Sequence, residues 1–459
     1  MSSRVASILE KAKKLHFAGI GGSGMFPLVE ILLSEGYEIS GSDINEGGII
    51  DSERGMGIAV TIGHDAKNVE GADALVVSAA LLDGNPEVAR ANELGIPIIE
   101  RAELLGYVTS RYDKSICISG THGKTTATSM LASILLLGGY DPAAVIGGKL
   151  PLIDGYGRPG ASDYMVCEAC EFKDTFLELS SYYSVILNVD ADHLDYFGSL
   201  ENLEASFHKF GELAKKAVIA NGDDENTLDA LEGLDNDVIL VGEGDNCDYR
   251  ITDVERYDKA FYKFCLRHGG EEIGRFELKV PGRHNVHNAA VAAVCAHLEG
   301  VSADDIQKGF DSFGGAGRRF EVLGKFSGVT IADDYAHHPL ELKVTLDAAQ
   351  NMGYNRIIAV FQPFTFSRTK ALLDDFAEAL SAADIVVMTE IMGSREINTY
   401  GISTADLAAK IEGSVWFDSF DQVADHCLDI AQPGDLILTM GCGDIYKAAD
   451  TMVERCKSN

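Results

Sequence analysis

The sequence predicts an α/β protein of three domains. Short apolar runs typical of buried strands alternate with helical patterns over most of the 459 residues, which favours mostly parallel sheets with helical connections. Glycine-rich turns follow apolar strands at residues 19–24 and again at 120–126, so two sheets begin with a strand, a turn and a helix. The chain exceeds one ordinary domain and has room for about two to four.

Composition excludes several classes of function. The formal net charge is −33, with 71 acidic against 38 basic residues, so the surface repels nucleic acid and anionic membranes. The N-terminus has no signal-peptide pattern, and no uninterrupted apolar stretch reaches the length of about 18 residues that spans a bilayer. The nine scattered cysteines, including the pair Cys167 and Cys170, are typical of reduced core thiols. We therefore expect a cytoplasmic protein that acts on small molecules.

The first domain, residues 1–108, is predicted to be Rossmann-like. Its strands are expected at residues 14–20, 37–40, 74–78 and 96–99, and a glycine-rich turn follows the first of them. Asp43 stands at the end of the second strand, at the spacing of a residue that bonds a ribose hydroxyl. The pattern suits a dinucleotide or a nucleotide-sugar diphosphate, and a purely structural turn is the alternative.

The second domain, residues 109–316, contains the strongest motif. Gly120, Thr121, His122, Gly123, Lys124, Thr125 and Thr126 lie between an apolar strand at 115–119 and a helix. Glycines let backbone N–H groups surround phosphate oxygens, while Lys124 reaches the outer phosphates and Thr125 can hold magnesium. Ile118 replaces the first glycine of the usual phosphate loop, and a tight turn with an exposed lysine is the alternative. Alternating residues at 247–280 predict a small antiparallel addition with a turn at 268–270.

Two further strand ends of this domain carry polar side chains. Glu168 ends a strand at 164–168, and His193 follows a strand at 185–189. Ligands of α/β sheets bind at the carboxyl ends of the strands, so both residues are expected near the phosphate loop as candidate magnesium ligands. Solvated acids and an ordinary loop histidine are the alternative.

The third domain, residues 317–459, is again predicted to be Rossmann-like, with strands at 330–333, 356–361, 385–388 and 436–440. A glycine-rich hinge at 312–320 precedes it and contains Arg318 and Arg319. Charged and aromatic residues follow its first two strands, which predicts one face of a cleft.

Five motifs stand in the order found in the Mur ligase family, which the sequence resembles over essentially its whole length. They are G-T-H-G-K-T-T at 120–126, A-D-H-L-D at 191–195, P-G-R-H-N at 281–285, G-R-R-F at 317–320 and D-D-Y-A-H-H-P at 333–339. Within the family, G-I-G-G-S-G-M at 19–25 together with D-D-Y-A-H-H-P looks like the member that adds L-alanine to UDP-N-acetylmuramate. The small-molecule partners implied are UDP-N-acetylmuramate, L-alanine and ATP with Mg²⁺, and the chain is expected to be a monomer or a homodimer.

The resemblance also implies roles for individual residues. The nucleotide sugar would be bound by Gly21, Gly22, Ser23, Gly24, Met25, Asp43, His64 and Ser78. ATP would be bound by the loop residues 120–126 with His284, Asn285, Asn288 and Asp334. The amino acid would be bound by Tyr335, His337 and Arg368, and magnesium by Thr125, Glu168 and His193. Catalysis would depend on Lys124, His193, Arg319 and His337, with the third domain closing over an acyl-phosphate intermediate.

The sequence departs from the family pattern at three places. Cys170 stands where many members have aspartate, and Phe364 and Thr365 stand where histidine and often arginine are familiar. Arg368 is therefore the basic candidate left for the alanine carboxylate, and Lys209, which follows the histidine segment, is not assigned a modification.

Three alternative functions stay open at this point. One is a recycling ligase that attaches a preformed peptide to the same nucleotide sugar. Another is a nicotinamide-dependent oxidoreductase built on the first glycine turn, which would leave Lys124 and His193 without a role. The third is a nucleotide-binding regulator without catalysis.

Overall fold

The computed structural model describes residues 2–78, 81, 84–394 and 396–458. The chain divides into two compact units. The first comprises Met1–Asp253, Phe264–Phe276 and His287–Phe313. The second comprises Val254–Lys263, Glu277–Val286 and Gly314–Asn459. The chain passes from the first unit to the second for the last time at residues 313–314, inside the predicted hinge.

The N-terminal sheet has five parallel strands in the spatial order β3-β2-β1-β4-β5. The strands are β1 (Lys14–Ala18), β2 (Glu38–Asp43), β3 (Ala59–Ile62), β4 (Ala74–Val77) and β5 (Ile98–Glu100). The helices are α1 (Ser2–Leu9), α2 (Phe26–Ser34), α3 (Gly48–Gly55), α4 (Pro86–Leu94) and α5 (Arg101–Ser110), with a 3-10 turn at Ala66–Val69. Strand β1 ends two residues earlier than predicted because Gly19 has φ +80° and turns the chain toward α2. Buried Phe17, Leu28 and Val76 form part of the core beside this sheet.

The central sheet has ten strands in the order β15-β14-β13-β12-β11-β10-β6-β9-β7-β8. The strands are β6 (Lys114–Ser119), β7 (Ala143–Leu150), β8 (Gly155–Arg158), β9 (Tyr164–Glu168), β10 (Tyr183–Ile186), β11 (Ala217–Asn221), β12 (Val238–Gly242), β13 (Tyr249–Asp258), β14 (Phe261–His268) and β15 (Glu271–Glu277). The helices are α6 (Lys124–Leu137), α7 (Leu194–Phe197), α8 (Leu200–Glu212), α9 (Glu225–Leu231), α10 (His284–Leu298) and α11 (Ala303–Ser312), with 3-10 segments at Pro151–Ile153 and Phe172–Glu178. Strand β6 lies between β9 and β10 and is parallel to both, so the phosphate loop leaves the middle of the sheet. The predicted turn at 268–270 is confirmed, since Gly269 and Gly270 join β14 to β15.

The C-terminal sheet has six strands in the order β16-β17-β21-β18-β19-β20. The strands are β16 (Glu321–Phe326), β17 (Val329–Asp334), β18 (Ile357–Phe361), β19 (Ile385–Thr389), β20 (Val415–Phe417) and β21 (Leu436–Met440). The helices are α12 (Pro339–Gln350), α13 (Phe366–Ala371), α14 (Leu373–Leu380), α15 (Thr404–Ala408), α16 (Phe420–Ile430) and α17 (Tyr446–Ser458). Only the β16–β17 pair among the described strands of this sheet is antiparallel. Two separate apolar clusters bury its alternating side chains.

These three sheets confirm the predicted α/β class with a mostly parallel central sheet and a small antiparallel addition. The limits of the domains at 108 and 316 stay a prediction. In the described part of the chain, no helix has the length and apolar character needed to cross a membrane.

Candidate active site

The phosphate-loop motif forms the turn between β6 and α6. Gly120 and Gly123 have φ values of +141° and +85°, which side-chain-bearing residues rarely adopt. A Cβ on Gly120 would lie 2.9 Å from the Leu187 Cβ, and one on Gly123 would lie 2.5 Å from the Asn288 Oδ1. The loop therefore needs glycine at both positions, and the second contact brings Asn288, an ATP-binding candidate, against the loop.

Asn188, two residues after the end of β10, holds this loop in place. Its Oδ1 accepts a 2.8 Å hydrogen bond from the His122 backbone N–H, and its Nδ2 donates one of 3.0 Å to the His122 carbonyl. Thr121 Oγ1 accepts a 2.8 Å bond from the Asp190 N–H, and His122 Nε2 lies 3.2 Å from Asp190 Oδ2. These contacts hold the loop rigidly at the carboxyl end of the central sheet.

Lys124 begins helix α6, and its side chain folds back over the loop. The ammonium donates hydrogen bonds of 2.5 Å to the Gly120 carbonyl and 3.1 Å to the Thr121 carbonyl. It also lies 3.0 and 2.9 Å from the two carboxylate oxygens of Glu171, a residue that is almost completely buried. Burial by itself would lower the pKa of Lys124, but the charge of Glu171 outweighs this and raises it. The loop therefore carries a permanent cation paired with a buried carboxylate.

Thr125 and Glu168 place two oxygen donors side by side at the start of α6. The Thr125 hydroxyl donates a 2.9 Å hydrogen bond to Glu168 Oε2, which also accepts one of 2.7 Å from the Gly147 N–H. A carboxylate and a hydroxyl next to a phosphate loop are the kind of hard ligands that Mg²⁺ prefers. The residues present therefore fit a magnesium ion that shares its coordination with a nucleotide.

His193, the third metal candidate, immediately precedes helix α7. Its φ of +54° is uncommon for a residue with a side chain, and such conformations concentrate at functional sites. Its ring centroid lies 4.7 Å from that of Phe172, the residue after Glu171. The segment that pairs with Lys124 thus also supports the His193 ring.

The two other adenosine candidates lie at the start of α10. Asn285 Nδ2 donates a 2.7 Å hydrogen bond to the Pro281 carbonyl, and the His284 ring lies against Gly282. Gly282 has φ +98°, and a Cβ there would lie 2.4 Å from His284 Cε1. This turn gives both side chains a defined position at the helix start.

The nucleotide-sugar candidates surround the turn between β1 and α2. Asp43 Oδ2 accepts a 3.0 Å hydrogen bond from the Gly21 N–H, and Gly22 and Ser23 are exposed. Ser78 packs against the same turn, since a Cβ on Gly19 would lie 3.2 Å from the Ser78 Cβ. Gly24 faces the Arg101 guanidinium, and Met25 is buried at the start of α2.

His64 follows β3 and reaches the same edge of the sheet. Its Nδ1 lies 3.0 Å from the Ser42 hydroxyl and 3.3 Å from Glu87 Oε2. Ser42 directly precedes Asp43, so His64 is connected through one residue to the glycine turn.

In the second unit, Arg318 has an internal structural role. Its Nε donates a 2.8 Å hydrogen bond to Asp333, and its two terminal nitrogens bond to the carbonyls of Gly441 and Gly443. The guanidinium also lies 5.0 Å from the Tyr335 ring centroid. Burial raises the pKa of Asp333 to about 6, although Arg318 opposes the shift. Arg318 thereby anchors the hinge to the end of β17.

The catalytic candidate Arg319 differs from its neighbour. Its guanidinium also lies 5.0 Å from the Tyr335 ring centroid. Burial raises the pKa of Asp334, and the charge of Arg319 opposes this shift. Asp334, an ATP-binding candidate, accepts 2.8 Å hydrogen bonds from the N–H groups of Phe320 and Ala336. Its carboxylate thus fixes the strand end and the hinge together.

His337 and Arg368 lie on adjacent segments of this unit. His337 Nδ1 lies 3.0 Å from the Tyr335 carbonyl and 3.1 Å from Glu341, and its ring centroid is 6.5 Å from that of Phe364. Arg368 is the third residue of α13, and its backbone N–H donates a hydrogen bond to the hydroxyl of Thr365, which caps this helix. Burial raises the pKa of the Cys442 thiol to about 12, and the nearby charge of Arg368 opposes this shift.

Three polar residues that organise these sites were not among the sequence candidates. They are Glu87, Glu171 and Asn188. Glu171 follows a predicted strand and Asn188 lies near the end of another, close to residues that were predicted, and this position in the sequence could have identified them. Glu87 lies on a helix and has no such signal.

Comparison with known proteins gives a consistent picture. Three family models match in succession: the Mur ligase family catalytic domain at residues 14–113, the Mur ligase middle domain at 118–296 and the Mur ligase glutamate ligase domain at 318–443. The UDP-N-acetylmuramate–L-alanine ligase of Caldanaerobacter subterraneus subsp. tengcongensis is 43% identical over 455 residues, which cover 98% of this chain and 99% of that one.

Two solved structures have the same fold. The UDP-N-acetylmuramate–alanine ligase MurC of Thermotoga maritima gives a TM-score of 0.84 at 28% identity, covering 97% of this chain and 99% of that one. A murein peptide ligase of Psychrobacter arcticus gives a TM-score of 0.78 at 22% identity, with coverages of 97% and 99%. The second likeness concerns the fold alone.

Proposed function

The chain belongs to the Mur ligase family, and we propose that it joins L-alanine to the lactoyl carboxylate of UDP-N-acetylmuramate, using ATP, in the synthesis of peptidoglycan precursors. The observation that carries this proposal is the position of the Lys124 ammonium inside a phosphate loop, beside the Thr125–Glu168 oxygen pair. This arrangement suits phosphoryl transfer from ATP. The reaction is assigned to the cytoplasm, where ATP is available.

The first step is phosphorylation of the carboxylate. One lactoyl carboxylate oxygen attacks the γ-phosphorus of ATP, the bond to the β,γ-bridging oxygen breaks, and ADP leaves. Lys124 and the N–H groups of the loop stabilise the negative charge on the transferred group. When bound by Thr125, Glu168 and His193, magnesium supplies Lewis-acid stabilisation of the same charge.

Lys124 can take this role only if it exchanges partners. It is now bonded to Glu171 and to two loop carbonyls. A triphosphate carries more negative charge than Glu171 and is presented by the same loop, so the ammonium would turn from the carboxylate to the phosphates. Glu171 keeps the lysine charged and oriented until then.

The second step forms the amide. The neutral amine of L-alanine attacks the acyl-phosphate carbonyl, inorganic phosphate leaves with the former carboxylate oxygen, and the amine loses a proton. We assign the alanine carboxylate to Arg368, whose guanidinium can form two parallel hydrogen bonds with it. Tyr335 and His337 are assigned to the same substrate, and Arg319 to the charge that develops on the leaving phosphate.

The amino substrate tests this function directly. Phosphate release from ATP is measured with UDP-N-acetylmuramate and a panel of L-alanine, glycine, L-serine, D-glutamate and a preformed peptide. The proposal expects release that requires both the nucleotide sugar and L-alanine, with the UDP-N-acetylmuramoyl-alanine product identified by mass spectrometry. Release with the peptide and not with L-alanine would contradict it and indicate a recycling ligase.

A further inference from the structure

A group of polar side chains is buried below the nucleotide-sugar turn, with Glu87 at its centre. The Glu87 side chain is completely buried and lies in the first turn of α4. Its Oε2 accepts a 2.8 Å hydrogen bond from the Ser42 hydroxyl, and its Oε1 accepts one of 2.7 Å from Asn68 Nδ2. His64 Nδ1 approaches Oε2 at 3.3 Å, and His16 Nε2 lies 3.7 Å from the same oxygen.

The carboxylate at this position keeps its charge. Burial alone would raise the pKa of Glu87, but nearby His16 and the hydrogen bonds from Asn68 and Ser42 lower it to about 2. A fully buried anion is costly unless neighbouring donors satisfy it, so the surrounding side chains must turn their protons toward Glu87.

This requirement fixes the proton on His64. The Ser42 hydroxyl has one proton and donates it to Glu87, which as a carboxylate is an acceptor only. The Ser42 oxygen has no second proton to donate, so toward His64 Nδ1, 3.0 Å away, it can act only as an acceptor. The Glu87 carboxylate, 3.3 Å from the same nitrogen, is also only an acceptor. His64 Nδ1 therefore carries a hydrogen, and the ring is held with this nitrogen inward.

The other nitrogen of His64 is the one available to a ligand. The side chain is 15% exposed, and no described residue bonds to its Nε2. The backbone places it at the turn, because the Gly63 N–H donates a 2.7 Å hydrogen bond to the Asp43 carbonyl. Asp43 in turn accepts from the Gly21 N–H, in the turn to which a diphosphate is assigned.

We propose that Glu87 is a positioning residue for the nucleotide-sugar site, which holds His64 with Nδ1–H inward and Nε2 directed at the UDP part of the substrate. This inference rests on the proposed function, because it takes UDP-N-acetylmuramate as the ligand. Glu87 itself touches no substrate and acts through the orientation and proton position of His64.

The test uses Glu87→Gln, which preserves size but removes the charge. Glutamine has one acceptor oxygen, so it cannot accept from Asn68 on one side and from Ser42 and His64 on the other. We expect the KM for UDP-N-acetylmuramate and the Kd of UDP to rise about fivefold, the loss typical of one hydrogen bond. The kcat at saturation and the KM values for ATP and L-alanine should stay the same. An unchanged UDP affinity would overturn the proposal.

The double variant separates positioning from a general structural effect. If Glu87 acts through His64, then His64→Ala with Glu87→Gln should bind UDP no more weakly than His64→Ala alone. Additive losses in the double variant would overturn the proposal. Glu70→Gln is the matched control and should leave every constant unchanged. Among the described residues, this exposed carboxylate of the same domain bonds to Arg90 on the surface.

Two further measurements keep the test decisive. Nitrogen chemical shifts of His64 in the unliganded protein should show Nδ1 protonated, and a ring protonated at Nε2 alone would contradict the proposal whatever the substrate is.

If Glu87→Gln does not fold, the variant Ser42→Ala replaces it in the test. This variant keeps the buried charge of Glu87 but removes the hydroxyl between Glu87 and His64, so it should raise the Kd of UDP about threefold. Failure of the unmodified protein to bind UDP-N-acetylmuramate would instead overturn the proposed function.

Discussion

The two glycine-rich turns of the first unit have the same strand–turn–helix form but different charges around them. At residues 19–24 the turn is bonded to an acidic side chain, Asp43, and the helix begins with apolar Phe26. At residues 120–126 the helix begins with Lys124, and Thr125 bonds to Glu168. Both turns offer backbone N–H groups to phosphate, but only the second has a lysine as the first residue of its helix, next to the candidate metal ligands. This difference is why we propose that the first turn binds the nucleotide sugar and the second serves phosphoryl transfer.

The largest effect that tests this division is expected for Lys124→Ala. Because the ammonium stabilises charge in the transition state, ligation should fall about 100-fold or more while the affinity for UDP-N-acetylmuramate stays unchanged. Lys149→Ala is the control, since that half-exposed lysine lies outside the loop and pairs with exposed Asp154. Steady-state kinetics decide the matter, and near-normal turnover of the Lys124 variant would remove the loop from the chemistry.

The second-largest effect is expected on the magnesium concentration that the enzyme requires, which should distinguish the two turns. Glu168→Gln should raise the magnesium concentration for half-maximal rate about tenfold, because the amide is a weaker ligand than the carboxylate. Asp43→Asn should leave this concentration unchanged. Titrating magnesium at saturating substrates measures both, and equal responses of the two variants would contradict the division.

Asp43→Asn should instead act on the nucleotide sugar. The variant loses the charged acceptor of the Gly21 N–H, so the KM for UDP-N-acetylmuramate should rise about fivefold with little change in kcat. A fall in kcat at saturating substrate would show that this turn also serves the chemistry.

The smallest effect concerns stability near the first turn. Glu53 is completely buried, and both its carboxylate oxygens have no hydrogen-bond partner among the described residues. Burial first, and then the charges of Asp43 and Glu30, raise its pKa from 4.5 to about 8. The folded state therefore binds a proton that the unfolded state releases near pH 4.5, so this stabilisation is complete below pH 4.5 and is lost as the pH rises toward 8.

Glu53→Gln removes this titration. The Tm of the variant minus that of the unmodified protein should increase between pH 5 and pH 8 by a few degrees, on the order of 1–2 kcal/mol. Thermal unfolding at several pH values measures the difference. A constant difference would mean that Glu53 ionises normally in the folded protein.

The sequence predicted those parts of the site that depend on neighbouring residues. Strand β6, the loop glycines and Lys124 follow one another, so their geometry is set by the local strand–turn–helix form. Contacts between distant segments were not predictable in this way. Asn188 bonds to His122 across 66 positions, and Glu87 reaches Ser42 across 45.

Two strands were not predicted because they contain glycine. Strands β7 and β8 contain Gly147 and Gly157, and such residues usually interrupt strand patterns. Here both glycines allow close approach, because a Cβ on Gly147 would lie 2.6 Å from a Glu168 oxygen and one on Gly157 would lie 2.4 Å from the Pro27 Cβ. Their role depends on tertiary contacts that a strand pattern does not encode.

The most direct test of the account follows the oxygen atoms of the substrate. UDP-N-acetylmuramate labelled with ¹⁸O at both lactoyl carboxylate oxygens is converted with ATP and L-alanine, and the phosphate is analysed by mass spectrometry. An acyl-phosphate route predicts one ¹⁸O in each inorganic phosphate and one in the new amide. Phosphate without label, while the amide product forms, would contradict the central claim that the phosphate loop activates this carboxylate.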